Sequence, residues 1–188
     1  MPWIVDRFED CLKPYTKQSE IAQLMEKCGG KIEKNAKPQE KAAWTKCLMD
    51  NFEAQFPEDV RVKVMEDCGR RCISHTTIDR VKRIKKNTKN LEELVNGLNV
   101  QWRRIPLGGP LTLEGNKIHF AYSRCYCGMV SKTKERFSPT YCNCSRGWVL
   151  ELFESIFEKP VKVELVSSII QGAKHCEFVI EIPKQAKH

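Results

Sequence analysis

The stretch that decides the fold is residues 145–167, SRGWVLELFESIFEKPVKVELVS, because its apolar pattern changes period within a few positions. From Ser145 to Glu158 the large apolar side chains recur every three or four residues, which is the spacing of one helix face. Lys159-Pro160 is a typical helix stop. From Val161 to Ser167 or Ile170 the pattern predicts a strand. The stretch therefore predicts a mixed fold in which a helix leads directly into a strand.

Strands are predicted on both sides of this stretch. Downstream, Cys176 to Ile182 alternates between apolar and polar residues, and residues 171–174 before it predict a hairpin turn. Upstream, Ile118 to Tyr122 alternates in the same way, and Arg124 to Val130 is predicted as a second strand. The C-terminal third is therefore predicted to be a β-β-α-β-β unit, an antiparallel sheet with one helix packed on it.

Residues 1–104 carry a helical pattern throughout. Stops such as Gly29-Gly30 and Phe56-Pro57 divide this region into five or six helices. The predicted fold class is α+β, with a helical N-terminal half packed on the C-terminal sheet unit. We divide the chain into a helical extension at residues 1–56 and an α+β domain at residues 57–188.

The charge and hydropathy of the chain restrict its partners. Thirty-two Lys and Arg residues against 24 Asp and Glu give a formal charge of +8, which favours anionic partners. The basic run from Arg80 to Lys89 lacks the interleaved aromatic residues that stack on bases, so we interpret it as a solvated helix face rather than a nucleic-acid site. The sequence has no stretch of roughly 18 apolar residues and no secretory signal pattern at its start. We expect a soluble, cytoplasmic protein with no membrane span.

Ten cysteines are unusual in such a chain. A reducing compartment disfavours disulfides, which leaves metal binding, catalysis or burial as explanations. Cys11, Cys28 and Cys47 each lie on the apolar face of a helical pattern, so we interpret all three as buried side chains. Cys176 shares its predicted strand face with apolar residues and is expected to be a structural, unreactive core residue.

Two Cys-x-Cys pairs, Cys125 with Cys127 and Cys142 with Cys144, are separated by fourteen residues. On the predicted strand, Cys125 and Cys127 present both sulfurs to one face. The second pair precedes a predicted helix, whose N-terminus favours thiolates. Four thiolates placed in this way are a tetrahedral ligand set for zinc, or alternatively the ligands of an iron–sulfur cluster. The other interpretation is a group of reduced cysteines packed where the strand and the helix meet.

A third group is Cys68-Gly-Arg-Arg-Cys72-Ile-Ser-His75. Positions four apart are neighbours on a helix, so Cys68 and Cys72 could approach the same ligand, with His75 near that face. They either contribute to the site of the Cys-x-Cys pairs or form a separate thiol pair. The sequence leaves both arrangements open.

The C-terminal residues resemble the end of the 4-vinyl reductase domain. The similarity covers roughly residues 117–182, and the helices of residues 57–104 correspond to the leading helices of that family. It rests on Gly147-Trp148, Val161-Lys-Val163-Glu164, Gly172 and Cys176-Glu-Phe178-Val-Ile180. This chain has Ser167 where the family often has a Cys.

The resemblance implies an α+β fold shared with subunits of vesicle-trafficking particles, in which helices and a four-stranded sheet enclose a pocket for a hydrophobic small molecule. Dimers are common in that fold, so a homodimer is expected. The stretch from Gly172 to Phe178 is also similar to the aminothiazoline-carboxylate hydrolase-like group, which would make the chain an enzyme.

Two functions are therefore predicted. The first is a small-molecule-binding or sensing domain whose zinc or iron–sulfur site uses Cys125, Cys127, Cys142 and Cys144, with Cys68 and Cys72 as further candidates. The alternative is a metal- or thiol-dependent hydrolase of a small anionic substrate. For a cysteine nucleophile His119 is the best-placed partner, although we interpret it more readily as an ordinary strand histidine. No catalytic or cofactor-binding residue is assigned, and the expected partner is a small hydrophobic or anionic molecule.

Overall fold

The computed structural model describes residues 3–102, 110–133 and 135–182, so the last two residues of the predicted helical half fall outside it. The helices are α1 (Ile4–Leu12), α2 (Gln18–Glu26), α3 (Pro38–Gln55), α4 (Glu58–Arg70), α5 (His75–Lys86), α6 (Leu91–Gln101) and α7 (Asn143–Phe157). The strands are β1 (Thr112–Glu114), β2 (Lys117–Tyr122), β3 (Lys162–Ser167) and β4 (Cys176–Glu181). Short 3-10 helices cover Lys13–Tyr15, Pro139–Cys142 and Ile169–Gln171. The predicted α+β class and the helical N-terminal half are confirmed.

The helix ends follow local sequence signals. Helix α2 ends before Gly29 and Gly30, which adopt φ values of +81° and +85°, and the Gly30 N–H donates to the Met25 carbonyl over 3.1 Å. Glycine adopts this left-handed conformation without a Cβ clash, which is why it commonly follows a helix. Helix α5 begins after Ser74, whose side chain accepts a hydrogen bond from the Thr77 N–H.

The four strands form one antiparallel sheet in the order β1-β2-β4-β3. In its central pair, Ile118 lies opposite Ile180 and Phe120 opposite Phe178. These four side chains are buried and pack against α7, because alternate residues of a strand share one face. The predicted four-stranded antiparallel sheet with a helix packed on it is confirmed, but one of its strands is a different segment from the one predicted.

One predicted strand is wrong. Residues 124–130 are not a strand, and the partner of β2 is instead β1, joined to it by a tight turn at Gly115 and Asn116. Gly115 has a φ of +59°, the conformation that a two-residue hairpin loop requires. The chain after β2 turns at Gly128, where the Val130 N–H donates to the Cys127 carbonyl over 3.1 Å, so the strand pattern ends there.

Helices α4 and α7 cross in backbone contact. A Cβ on Gly69 would lie 1.9 Å from the Cys144 carbonyl oxygen, and a Cβ on Gly147 would lie 2.0 Å from the Glu66 carbonyl oxygen. Only glycine allows such an approach. Ion pairs flank the crossing, since Arg70 contacts Glu154 at 2.6 Å and Arg146 contacts Glu66 at 2.8 Å. The first turn of α7 is therefore fixed against α4.

The apolar core has two parts that meet at this crossing. One lies among α1 to α4 and the 3-10 helix before α7, and the other lies between α5, α6, α7 and the sheet. Helix α5 buries Val81 and exposes most of the basic run, as the solvated-face interpretation predicts. Within the described ranges, no helix has the length and apolar content needed to cross a bilayer.

Cys28 and Cys47 form a disulfide, which corrects their interpretation as separate buried thiols. Their Cα atoms are 5.8 Å apart, a separation typical of such bonds. The bend at Gly29-Gly30 turns the chain so that the end of α2 faces α3, and the Trp44 indole N–H donates to the Gly30 carbonyl there over 2.7 Å. Cys11 is buried as predicted.

Candidate functional site

A cavity of about 330 Å³ lies where the N-terminal helices meet the sheet. Five separate parts of the chain contribute to its walls, which are mainly aromatic side chains and thiols. We call it the aromatic cavity, and its lining residues are Ile4, Cys72, Trp102, Phe120, Tyr122, Cys125, Tyr126, Cys127, Cys144, Ser145 and Trp148. Its volume is at the lower end of the roughly 300–1,000 Å³ of small-molecule sites.

Strand β2 supplies one wall. Phe120 and Tyr122 are two residues apart on the strand and point to the same side, with ring centroids 5.9 Å apart. Trp102 lies 5.8 Å from Phe120, and Tyr126 lies 5.7 Å from Tyr122. Each pair is tilted or edge-to-face, which are favourable arrangements for aromatic rings. The rings therefore support one another around the cavity.

The first two turns of α7 supply the opposite wall through Cys144, Ser145 and Trp148. The Ser145 side chain forms a hydrogen bond with the Tyr122 hydroxyl at the edge of the cavity. Burial raises the pKa of Tyr122, and the Ser145 contact only partly offsets that effect. Tyr122 is therefore a neutral phenol at physiological pH and can donate or accept a hydrogen bond.

Three of the cavity cysteines are held as neutral thiols. Burial raises the pKa of Cys125 to about 11 and also raises the pKa values of Cys127 and Cys144. The Cys127 sulfur lies 2.9 Å from the Tyr141 hydroxyl, a hydrogen bond that works against the shift. Neutral thiols are polarisable apolar groups, so they suit contact with aromatic ligands better than attack on an electrophile.

The fourth cavity cysteine has a different neighbour. Arg7, which is only 6% exposed, donates from Nη2 to the Cys72 sulfur over 3.4 Å. The same guanidinium lowers the pKa values of Cys127 and Cys144, although burial outweighs it at both. A buried cation thus lies behind this side of the cavity.

Three of the four residues predicted to bind metal, Cys125, Cys127 and Cys144, line the aromatic cavity, and the fourth does not. Cys142 lies on another side of the α7 start, with its sulfur 2.8 Å from the Ser168 hydroxyl, and burial raises its pKa to about 12. Cys144 faces the cavity because residues two apart near a helix start point in nearly opposite directions. Cys125 and Cys127 lie in a loop, so the strand argument for their shared direction is wrong. In the described part of the chain, no group of three or more His, Cys, Asp or Glu side chains could hold a metal ion.

Cys68 and Cys72 are separated by the end of α4 at Arg70, which is why their spacing of four does not place them together. Cys68 is buried beside Cys11, and a hydrogen bond between the two thiols, together with burial, raises the pKa of Cys68. His75 begins α5 on the surface. Cys176 is buried as predicted, and its sulfur accepts from the Ile169 N–H over 3.3 Å.

The proposed base His119 lies on the face of β2 opposite to Phe120 and contacts Glu114 at 3.3 Å. Sequence reasoning assigned the cavity aromatics to the core and missed their role as a lining. The sequence places Trp148 on the apolar face of α7, whereas the structure leaves it half-buried at the cavity while its neighbour Val149 is fully buried.

Residues 11–187 match a protein family described as a family of unknown function (DUF6144). The chain belongs to this family. No curated protein matches the sequence.

Solved structures share the fold at low sequence identity. An H-NOX domain from Shewanella oneidensis in the Fe(II)CO ligation state is 19% identical, with a TM-score of 0.54 over 98% of this chain and 100% of that one. An H-NOX protein from S. oneidensis in the Fe(II)NO ligation state is 16% identical, with a TM-score of 0.52 over the same shares. A trafficking protein particle complex subunit 3 from Naegleria fowleri, covalently bound to palmitic acid, is 9% identical, with a TM-score of 0.50 over 80% and 97%. The last likeness agrees with the fold that the 4-vinyl reductase resemblance implies.

Two of these structures contain iron(II), so we tested whether the aromatic cavity fits an iron centre. Iron in protein sites is commonly held by His, Cys, Met or Tyr side chains. Among the described residues no histidine lines the cavity, and its cysteines belong to no group of three or more side chains placed to hold a metal ion. These residues do not fit a histidine-held iron, nor do they supply the closed thiolate set of a zinc or iron–sulfur site. The chemistry that they do provide is ring contact and hydrogen bonding by neutral groups.

Proposed function

We propose that the protein is a small-molecule-binding domain that senses a ligand bound in the aromatic cavity. The observation that carries this proposal is a hollow of about 330 Å³ walled by aromatic rings and thiols from separate parts of the chain. Sites for small molecules are typically concave and mostly apolar, with a few polar groups that fix orientation. The 4-vinyl reductase resemblance and its pocket for a hydrophobic molecule support the same function.

The lining favours a ligand with a flat apolar part. Trp148 and Tyr122 offer ring surfaces on opposite walls, and Cys125 and Cys127 offer polarisable sulfur between them. The Tyr122 and Ser145 hydroxyls are the groups that would orient the ligand. Such an arrangement binds without requiring a charge on the part of the ligand inside the cavity.

We propose that sensing depends on where the cavity lies, because its lining residues come from both parts of the chain. Ile4 belongs to the helical extension of residues 1–56, whereas the other lining residues belong to residues 57–188. We propose that this division is functional, and that a bound ligand joins the two units by contacting both. Binding would then stabilise one arrangement of α1 relative to the sheet.

The hydrolase alternative has less support. A thiol nucleophile needs a base within hydrogen-bond reach, and His119 contacts Glu114 on the far face of the sheet. Arg7 is the group beside Cys72, and an arginine cannot act as a base. The convergence of donors that a metal-dependent reaction needs is also not provided by the described cysteines.

Calorimetric titration with 2-naphthol, a neutral two-ring probe, tests the proposal. The wild-type protein should bind one molecule per chain. Ser145→Phe fills the cavity and removes the hydroxyl beside Tyr122, so it should weaken binding at least tenfold. Ser19→Phe places the same side chain on the exposed face of α2 and should bind normally. Equal binding by both variants would contradict the proposed site.

A further inference from the structure

A second hollow of about 630 Å³ lies beside the aromatic cavity. Its lining residues are Ser123 to Tyr126, Val130 to Thr133, Glu135, Arg136, Ile169, Ile170 and Gly172. We call it the cationic groove. Cys125 and Tyr126 line both hollows, so these two residues are the shared wall between them.

The charge of the groove is one-sided. Arg124, Lys132 and Arg136 lie on it, whereas Glu135 is the one carboxylate among its described lining residues, which gives a net formal charge of +2. All three cations are exposed. None of them forms an ion pair with a carboxylate of the described residues, so their charge is available to a ligand. A concave surface with this balance attracts anions.

Two of the cations have defined positions. The Arg124 guanidinium lies over the Tyr126 ring, 4.8 Å from its centroid, which places it at the shared wall. Arg136 lies against Gly172, where an added Cβ would be 3.5 Å from Nη2. Gly172 also has a φ of +97°, a conformation that disfavours other residues. A Cβ at that distance would be in ordinary contact with the guanidinium, so Gly172 is favoured by its backbone conformation, and Arg136 lies beside this turn at the edge of the groove.

We propose that the cationic groove binds the anionic group, a carboxylate or a phosphate, of the same ligand whose apolar part occupies the aromatic cavity. The ligand class is an amphipathic anion with a flat apolar body. This inference rests on the proposed function of the cavity, and it adds the charge that the cavity lining alone does not specify. Arginine guanidinium groups are well suited to both anions because they donate paired hydrogen bonds to two oxygens.

Three probes with the same ring system separate the two hollows. 2-Naphthol is neutral at pH 7, 2-naphthoate carries a carboxylate and 2-naphthyl phosphate carries a phosphate. At low salt at least one anion should bind about tenfold more tightly than 2-naphthol, and salt should reduce that excess. The anion that gains more identifies the preferred group.

Substitutions of the groove arginines, with matched controls, test whether the tighter binding of the anions comes from the cationic groove. Arg136→Gln should lower the affinity for the preferred anion several-fold and leave 2-naphthol binding unchanged. Arg124→Gln also removes the cation over the Tyr126 ring, so it should lower the affinity for the anion by a larger factor than the affinity for 2-naphthol. Arg136→Lys keeps the charge and should retain part of the gain. Arg80→Gln removes an exposed cation from α5 and should change neither affinity. Because the substituted side chains are exposed, the melting temperatures should stay close to that of the wild type.

The possible failures are distinguishable. If 2-naphthol binds in the cavity but the anions bind no more tightly, or Arg136→Gln has no effect on them, the inference about the groove is overturned while the proposed function stands. If neither the neutral nor the anionic probes bind, the proposed function fails and the inference fails with it.

Discussion

Replacing Gly147 by alanine tests the backbone contact that positions the α7 wall of the cavity. The new Cβ would lie 2.0 Å from the Glu66 carbonyl oxygen and 2.7 Å from the Glu66 Cα. These are backbone atoms in the middle of α4, so no side-chain rotation can relieve the overlap. The two helices would have to separate by about 1.4 Å to restore ordinary contact.

The expected cost is the difference between two effects. Overpacking of this kind costs about 3 kcal/mol or slightly more, because a gap of this size along α4 and α7 loses much of their van der Waals contact. Alanine regains about 1 kcal/mol over glycine inside a helix. A net loss of about 2 kcal/mol corresponds to a melting temperature lower by about 4–8 °C in a chain of this length. Gly69→Ala meets the Cys144 carbonyl oxygen in the same crossing and should cost a similar amount.

Thermal denaturation followed by circular dichroism measures the loss. Gly97→Ala is the comparison within a helix, since its Cβ would lie 2.7 Å from the Ile84 Cγ2 atom and overlap a side chain rather than backbone, so it should cost less than Gly147→Ala. Gly128→Ala faces open space and should change stability little. The Gly69→Ala, Gly147→Ala double variant should lose less than the sum of the single losses, because one separation relieves both overlaps. A Gly147→Ala protein that melts at or above the wild-type temperature would refute the reasoning.

Three other predictions concern stability. Loss of the bond between Cys28 and Cys47, by Cys28→Ser without reductant or by reduction of the wild type, should cost about 3 kcal/mol of stability. The melting temperature should fall by about 6–12 °C. Equal melting of the wild type with and without reductant would contradict the bond. Burial raises the pKa of Cys142 to about 12, so as the pH rises the unfolded chain loses this proton before the folded chain does. The free energy of unfolding should therefore fall by about 1.4 kcal/mol per pH unit above about pH 9. Denaturant titrations of the wild type and of Cys142→Ala should differ in this slope. The Thr140 hydroxyl donates to the Glu53 carboxylate over 2.6 Å, and Glu53→Gln replaces this charged acceptor by a weaker amide oxygen. The free energy of unfolding should fall by about 1–3 kcal/mol in a denaturant titration. An unchanged midpoint would show that this contact contributes nothing.

The elements that the sequence predicts well are those with long periodic patterns. Helix α7 and strand β4 extend over several turns or alternations, and the structure has them within about two residues of their predicted bounds. Strand β1 has three residues, too few for alternation to be recognised, although the Gly115-Asn116 turn after it was a usable signal. The strand predicted at residues 124–130 continued an apolar pattern past the turn at Gly128, where the chain changes direction.

The site was less predictable because it depends on the directions of side chains, which the spacing of residues along the sequence does not define. The Cys-x-Cys spacing gives parallel side chains on a strand and nearly opposite ones on a helix, and Cys142 and Cys144 lie at a helix start. The disulfide between Cys28 and Cys47 depends on a bend at two glycines that brings α2 onto α3. Periodicity shows that Trp148 belongs to an apolar face, but not that space is left beside it.

The arrangement also indicates how the unknown ligand can be found. The α7 wall of the aromatic cavity is held by the α4 crossing, whereas Cys125, Tyr126 and Cys127 lie in a loop outside the sheet. A ligand that contacts both walls binds the folded chain and not the unfolded one, so it stabilises the fold by mass action. At a concentration 100 times its Kd this amounts to about 2.7 kcal/mol, a rise in melting temperature of about 5–11 °C. Melting temperatures measured across a set of flat carboxylates and phosphates therefore rank candidates without any assumption about what the bound state does next.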